Sequence, residues 1–486
     1  MPDNLTQFAA DHARLHRWDD LPAFLADDRT WTFAEVYAGA ARVAGGYRAA
    51  GLHRGDRVLL ALPDSIEMVW CLLGAWQAGI VAIPVNVQMS HDDLTRDIRT
   101  AEPALIVADP ETAGWLDDAG LAPTTGAERL AAAEPETEFA PGGDHPSHAM
   151  FTSGTTGAPK LCFFLHSNFG PSMLRTDGVG TVAFSVSRMY FAGGLYSSAM
   201  ATICTGQTSV LSRPRATPAA ALELIRRHNV ATLFAQPSFY ARLLLEPGHA
   251  EILGKLRGAM CAGEVLSARL REKLMPIFED RLVNLYGATE AGGYAMGRPA
   301  DYLDPSAVGP AYEGRSARVV ADGQEVAAGV QGELQVLVPF ATRGVARGSL
   351  GPDQVTDIWW STGDLASIDE QGVIHVYGRL DDVEVIGGQN VVPGEVERLL
   401  ESHPKVREAA VSAVRRDAGD TTLRAYVVAS AGAGDDDLGA ELVALTREHL
   451  SWYKVPQDVT WLEALPRNGN GKVLRRQLRA AGGQLA

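Results

Sequence analysis

The sequence predicts an α/β protein: a large N-terminal domain of two α/β sandwich-like subdomains plus a β-rich subdomain, followed by a small α+β C-terminal domain. Three observations carry that expectation. Strand-like apolar runs alternate with helical patterns from Thr32 to Leu285, glycine-punctuated strands take over from about Val308, and a mixed helix-and-strand pattern follows Asp381. Alternation of this kind builds layered sheets whose strands are largely parallel.

The elements read in chain order as follows. Thr32 to Ala50 is a helix stopped by Gly51, Asp56 to Ala61 a buried strand, and Ser65 to Ala78 a helix closed by Gly79. Ile80 to Val85 and Ala104 to Ala108 are short strands, and residues 109–147, rich in Ala, Pro, Glu and Gly, read as surface connection around one short helix. A second stretch repeats the alternation: helix Pro218 to His228, strand Ala231 to Ala235, helix Pro237 to Leu245, strand Leu256 to Ala262, helix Ser267 to Phe278 and strand Leu282 to Leu285. Its motifs follow strands, where α/β sheets usually bind ligands.

Beyond Val308, Gly332 to Val338 and Val373 to Tyr377 read as strands of a β-rich subdomain. The domain boundary is expected at Asp381, giving domains 1–380 and 381–486. The smaller one holds a strand from Asp382 to Ile386, a Gly387-Gly388 turn, a helix from Pro393 to Ser402, strands Ala409 to Val414 and Leu423 to Ala429, and a helix from Leu438 to Leu450. About a hundred residues suffice for such a domain.

The 486 residues are 46% hydrophobic and 21% charged, a globular composition too long for one ordinary core. A net charge of -16 argues against nucleic acid or an acidic membrane as partner, so any anion site has to be built locally. Four cysteines, Cys71, Cys162, Cys204 and Cys261, lie far apart with no CxxC, which fits a reducing compartment rather than a disulfide framework or a zinc site. No basic leader precedes an apolar run, and no stretch reaches the ~18 apolar residues that cross a bilayer. A cytoplasmic protein without membrane insertion is expected.

The most informative segment is Thr152-Ser153-Gly154-Thr155-Thr156-Gly157-Ala158-Pro159-Lys160. Glycines let a backbone approach phosphate closely, hydroxyls and N–H groups donate to its oxygens, and a lysine supplies charge. It is not a Walker A sequence, and an ordinary surface turn has the same composition. Further motifs follow in series: Ala262-Gly263-Glu264-Val265, Tyr286-Gly287-Ala288-Thr289-Glu290, Ser361-Thr362-Gly363-Asp364, Tyr377-Gly378-Arg379-Leu380-Asp381-Asp382, and Pro466-Arg467-Asn468-Gly469-Asn470-Gly471-Lys472. In this order and spacing they resemble the AMP-forming adenylating superfamily of acyl-CoA synthetases, peptide-synthetase adenylation domains and luciferases, over nearly the whole chain.

That resemblance implies a reaction in which a carboxylate attacks the α-phosphorus of ATP, giving acyl-AMP and pyrophosphate. It assigns Thr152, Ser153, Gly154, Thr155, Thr156, Gly157 and Lys160 to the phosphates, and Gly263, Glu264, Val265, Tyr286 and Gly287 to the adenine side. Thr289 goes to the α-phosphate, Glu290 to Mg²⁺, and Asp364 with Arg379 to the ribose hydroxyls. Lys472 becomes the catalytic cation, acting through charge when a mobile C-terminal domain closes, with Asp381 as the hinge and Gly387-Gly388 lining the tunnel for CoA. Read without the resemblance, Lys472 is a surface lysine in a basic run, and Gly263 to Val265 is a strand-to-helix turn.

For the acid, the run from Tyr190 to Leu195 is similar to that of benzoate-type CoA ligases. Phe191, Ala192, Gly193, Gly194, Phe234, Phe239, Ala288 and Gly292 make the expected acyl pocket, with small residues leaving room and aromatics supplying walls. The same aromatics also suit core packing. No aspartate lies in these segments to hold a substrate ammonium group, so an aromatic or bulky cyclic acid is expected over an amino acid. Two positions depart from the family: Leu161 replaces a usual glycine within an expected buried strand, and Val385 replaces a common lysine four residues after Asp381. The expected activity is an AMP-forming acid–thiol ligase making an acyl-CoA. The alternatives are loading of a carrier-protein phosphopantetheine in trans and a specialised member running one half-reaction.

Overall fold

A computed structural model describes residues 3–26, 29–153, 159–168, 173–312, 315–338, 358–386, 389–415, 421–430, 436–467, 473–475 and 477–478. It resolves into two compact units. One runs to Gly263 and includes Gly287–Gly293; the other holds Glu264–Tyr286, Tyr294–Leu337 and the chain from Trp359 onward.

In the first unit, one sheet runs in the order Thr124–Thr125, Leu105–Ala108, Arg57–Ala61, Val81–Pro84, Pro146–Ser153 and Pro159–Leu165. Every neighbouring pair is parallel except the last, which is an antiparallel hairpin. A second sheet places Gly258–Ala262, Thr232–Ala235, Val182–Ser185, Thr208–Val210 and Pro22–Ala26 in parallel array, with Arg29–Thr32 antiparallel at its edge. Parallel strands buried on both faces account for the unbroken apolar runs that made these elements legible.

The helices begin and end where their caps dictate. Thr32 opens Phe33–Ala49 with a reciprocal capping box to Glu35, while Ser65 caps Ile66–Ala78 and Gly79 ends it in the left-handed region at φ 71°. These two helices pack closely because a Cβ on Gly39 would lie 2.3 Å from the Trp70 ring nitrogen. Residues 109–147 differ from expectation. They hold two helices, Pro110–Ala119 and Ala127–Ala131, and the strand Thr124–Thr125 between them. The unanticipated N-terminal helix Leu5–Leu15 is fastened by Asn4, whose amide donates to the carbonyls of Trp76 and Ala140 at 2.7 and 2.8 Å.

The second unit contains a six-stranded sheet in the order Ala307–Pro310, Val373–Arg379, Ile358–Ile368, Gly332–Val338, Ser316–Ala321 and Gln324–Glu325. It also contains the hairpin strands Glu384–Ile386 and Gln389–Val391, the helices Pro393–Glu401 and Asp436–His449, and a three-stranded sheet. In that sheet Val406–Arg415 pairs antiparallel with Thr421–Ala429, and the unexpected strand Asp458–Trp461 pairs parallel to it. Val391, Val396, Leu400, Val411 and Leu442 fill the core between helices and sheet. Among the described residues no helix is long and apolar enough to cross a membrane.

Candidate active site

The phosphate-type segment sits on a hairpin rather than on a strand-to-helix turn. Pro146–Ser153 and Pro159–Leu165 pair antiparallel, with Thr152 opposite Lys160 and Ser153 opposite Pro159. The motif's two ends are therefore joined by the ladder, and Gly154, Thr155, Thr156 and Gly157 lie outside the described residues. Leu161, the departure from the family, is fully buried in this strand and packs in the cluster with Leu59, Val81, Ile83 and Ala149. Its side chain serves the sheet's core, and the expected buried strand is present.

Asp364, Arg379 and Tyr286 are brought together. The two strands Ile358–Ile368 and Val373–Arg379 place Asp364 and Arg379 as direct register partners, next to an irregularity between Leu365 and Ala366. One Arg379 nitrogen donates to Asp364 Oδ1 at 3.1 Å and to the Thr362 carbonyl at 2.6 Å. The Tyr286 hydroxyl donates to Asp364 Oδ2. The Asp364 backbone N–H donates to Thr362 Oγ1 at 3.0 Å, and that hydroxyl donates to the Leu334 carbonyl at 2.9 Å. Gly363 adopts φ 71°, and a Cβ there would lie 2.6 Å from the Arg379 guanidinium, so the position favours glycine. Burial pushes the Tyr286 phenol well above its ordinary range, with Tyr294 and Asp364 adding to the effect. Tyr286 is thereby held as a donor, and its ring meets that of Tyr294 edge-on at 4.9 Å.

The run Tyr286 to Gly293 forms a tight turn between strands Leu282–Ala288 and Gly292–Gly297, with Thr289 and Glu290 half-buried at its tip. The Ala291 N–H closes it on the Ala288 carbonyl at 3.2 Å. A Cβ on Gly287 would sit 2.4 Å from the Gly292 carbonyl oxygen, which explains the glycine at that place. Gly263 directly follows strand Gly258–Ala262 at φ 88°, and Val265 is 65% exposed. No three metal-ligating side chains converge among the described residues. A magnesium ion carried by nucleotide phosphates needs only one or two protein carboxylates, and Glu290 in its turn fits that role.

The expected acyl segment begins at Phe191, which precedes a helical turn Ala192–Leu195 that widens into a π-helix over Tyr196–Met200. Such π-turns recur at functional sites. The space left by its glycines is occupied by protein: a Cβ on Gly193 would lie 2.9 Å from the Phe234 ring, and one on Gly194 would lie 2.0 Å from the Arg188 carbonyl oxygen. The expectation that these two glycines leave open room is thus corrected. They permit close packing, with the buried Phe234 ring against Gly193; Phe239 is buried as well. Sequence reasoning missed Arg188, just upstream of this segment, and its buried ion-pair partner Asp64, because neither belongs to a motif.

At the C-terminal end, Gly387, Gly388 and Lys472 lie outside the described residues, and Asp381 falls in a short helical turn, Leu380–Asp382. The base of the lysine segment is fastened on both sides. Arg467 and Val473 form an antiparallel bridge, the Leu474 N–H donates to the Pro466 carbonyl at 2.8 Å, and Arg475 reaches Asp382 at 3.1 Å and Glu397 at 2.6 Å. Val385 sits in the strand after the turn, between these anchors in sequence.

Comparison with known proteins gives this arrangement its family. The AMP-binding enzyme family model matches residues 11–348, and the AMP-binding enzyme C-terminal domain model matches residues 395–472. The p-hydroxybenzoic acid–AMP ligase FadD22 of Mycobacterium tuberculosis (strain ATCC 25618 / H37Rv) is 36% identical, the match covering 98% of this chain and 68% of that protein. A feruloyl-CoA synthase of Amycolatopsis sp is 30% identical over 92% of this chain and 93% of its own. The crystal structure of ATP-bound MatB from Rhodopseudomonas palustris superposes with a TM-score of 0.86 at 29% identity, covering 99% of both chains. The shared fold is the adenylate-forming one, a large N-terminal domain followed by a small C-terminal domain. With both family models matched along one chain and the motif residues set as described, this protein belongs to the AMP-binding enzyme family and is an acyl-AMP-forming ligase.

Proposed function

We propose that the protein activates an aromatic or bulky cyclic carboxylic acid with ATP as the acyl-AMP and transfers the acyl group to CoA. The observation that carries the nucleotide half of this reading is the Tyr286–Asp364–Arg379 cluster, where a carboxylate fixed by an arginine and a phenol suits a pair of ribose hydroxyls. Both reactants are anions, so the chain's work is to neutralise charge and align them. Thr152, Ser153, Thr155, Thr156 and Lys160 would grip the departing pyrophosphate, with Gly154 and Gly157 allowing the backbone near. Thr289 would hold the α-phosphate, Glu290 would hold Mg²⁺, which when bound neutralises phosphate charge, and Gly263 to Val265 with Tyr286 and Gly287 would flank the adenine. Lys472 would bridge carboxylate and phosphate oxygens.

In this reading the domains divide at Asp381, and rotation of residues 381–486 would bring Gly387-Gly388 to the thiol's path. The aromatic acid is supported by the acids named for FadD22 and the feruloyl-CoA synthase, together with the aromatic surroundings of Gly193. A carrier-protein phosphopantetheine in trans is the second acceptor, favoured by FadD22 being an AMP ligase by name rather than a CoA ligase.

The test is pyrophosphate release with ATP, Mg²⁺ and a panel of aryl, alicyclic, fatty and amino acids, with and without CoA, with products identified by mass spectrometry. Acyl-CoA from an aryl or alicyclic acid is expected. Acyl-AMP that persists with CoA but is consumed by a phosphopantetheinylated carrier would transfer the reading to the second acceptor, and pyrophosphate release with no acid of the panel would overturn it.

A further inference from the structure

The chain holds a buried ion pair that no motif contains. Asp64 and Arg188 approach at 3.5 Å, with side chains only 8% and 11% exposed. A buried pair is weak evidence for stability, because desolvation offsets much of the attraction, so its presence calls for another account. The rest of its bonding points to one. The Arg188 guanidinium donates to the carbonyls of Ser212, Arg213 and Pro214 at 2.5, 2.8 and 3.3 Å, and Asp64 Oδ1 accepts the Met189 N–H at 3.1 Å. Arg188 is thus pinned by its side chain and its neighbour by its backbone.

What is pinned is the entrance to the Phe191–Gly194 turn. The Arg188 carbonyl accepts the Phe191 N–H at 2.9 Å and fills the space beside Gly194, while Gly193 rests on the Phe234 ring. The following π-turn is held by Ser197 and Ser198, whose hydroxyls donate to the carbonyls of Gly193 and Gly194. A displacement of Arg188 therefore moves Gly194 through direct backbone contact and moves Gly193 relative to Phe234.

We propose that Asp64 and Arg188 are positioning residues for acid selectivity, fixing the backbone of the acyl-pocket turn without touching the acid. The inference rests on the reading of Phe191, Gly193 and Phe234 as acyl-pocket residues. Its reach is steric: a hydrophobic pocket distinguishes acids by about tenfold or more per methylene, so a small shift of one wall is visible in kcat/KM ratios.

The experiment compares wild type with Asp64→Asn, Asp64→Ala, Arg188→Lys and Gly193→Ala. Pyrophosphate release is measured with 4-hydroxybenzoate, ferulate and octanoate at saturating ATP, and the KM for ATP with the best acid. Asp64→Asn keeps an acceptor for Met189, and Arg188→Lys keeps the charge but not the three-carbonyl fork. The expected result is a change of about tenfold in the ratio of kcat/KM among the three acids for Asp64→Ala and Arg188→Lys, a smaller one for Asp64→Asn, and a KM for ATP within about twofold of wild type. If Gly193→Ala shifts selectivity and the pair variants that fold do not, the proposal is overturned. If Gly193→Ala itself leaves the ratios unchanged, it is the pocket reading that fails. Loss of activity on all acids in proportion, with a lower melting temperature, would assign the pair to stability alone and likewise overturn the proposal; Asp64→Asn, nearly isosteric, remains informative where Asp64→Ala does not fold.

Discussion

Asp364 and Arg379 face each other across one antiparallel strand pair, register partners whose side chains meet at 3.1 Å. The arginine's second bond, to the Thr362 carbonyl, fixes it to the strand that carries the aspartate. One sheet thus orients both members of the candidate ribose site, and neither depends on a loop for its direction. A carboxylate held this way is preorganised as an acceptor.

Asp364→Asn removes the charge while keeping the shape. The lost charge-assisted bond corresponds to ~1.5–3 kcal/mol, so kcat/KM for ATP is expected to fall about ten- to a hundredfold in a pyrophosphate-exchange assay, with the KM for the acid little changed. Wild type should also discriminate against a deoxyribose nucleotide more strongly than the variant does. Equal discrimination by the two proteins would remove Asp364 from the ribose site.

Tyr286→Phe deletes one donor to the same carboxylate and leaves the ring on Tyr294. The expected effect is smaller, about three- to tenfold in the KM for ATP, in line with the net value of a single hydrogen bond of ~0.5–1.5 kcal/mol. A variant indistinguishable from wild type in nucleotide kinetics would show that the phenol's bond to Asp364 has no part in binding.

Much of this was legible in the sequence, for identifiable reasons. Helices Phe33–Ala49 and Ile66–Ala78 carry their own start and stop signals, and buried parallel strands such as Leu105–Ala108 are unbroken apolar runs. Asp364 and Arg379 could be paired in advance only through the resemblance, since the register that joins them arises from a sheet. Only one of the two helices between residues 109 and 147 is legible, because a single turn such as Ala127–Ala131 cannot be told from a loop, and strand Asp458–Trp461 is not, because an edge strand of four residues shows no alternation. The close contacts of Gly193 and Gly194 are not legible in sequence, because a glycine that leaves room for a ligand and one that lies against neighbouring protein read alike. Asp64 and Arg188 carry no sequence signal at all: 124 positions separate them, and their bond is a product of the fold.

Glycine contacts separate two substitutions that look alike on paper. Gly194→Ala would drive a Cβ to 2.0 Å from the Arg188 carbonyl oxygen, a backbone atom that cannot swing away, and overpacking of this kind costs ~1–3 kcal/mol or more. Gly114→Ala lies in the helix Pro110–Ala119 with nothing within 4 Å and should stabilise by ~0.5–1 kcal/mol through helix propensity. Melting curves should therefore move in opposite directions. A Gly194→Ala protein as stable as wild type would mean that the turn shifts readily.

Glu401 gives the second unit a pH dependence of definite sign. Burial pushes its carboxyl up from 4.5 to about 7, with Glu397 and Glu408 raising it further against the opposing Ala409 N–H and Arg269. A carboxyl that binds its proton more tightly when folded contributes stability that is complete below about 4.5 and lost as pH rises through about 7. Glu401→Gln keeps an oxygen for the Ala409 N–H, which lies 3.3 Å from the native carboxyl, and has no charge to bury. Between pH 4.5 and 7 the variant should gain on wild type by ~1–3 kcal/mol, read as a difference in urea midpoints that grows with pH and flattens above neutrality. A difference constant across that window would place the Glu401 carboxyl at its ordinary pKa.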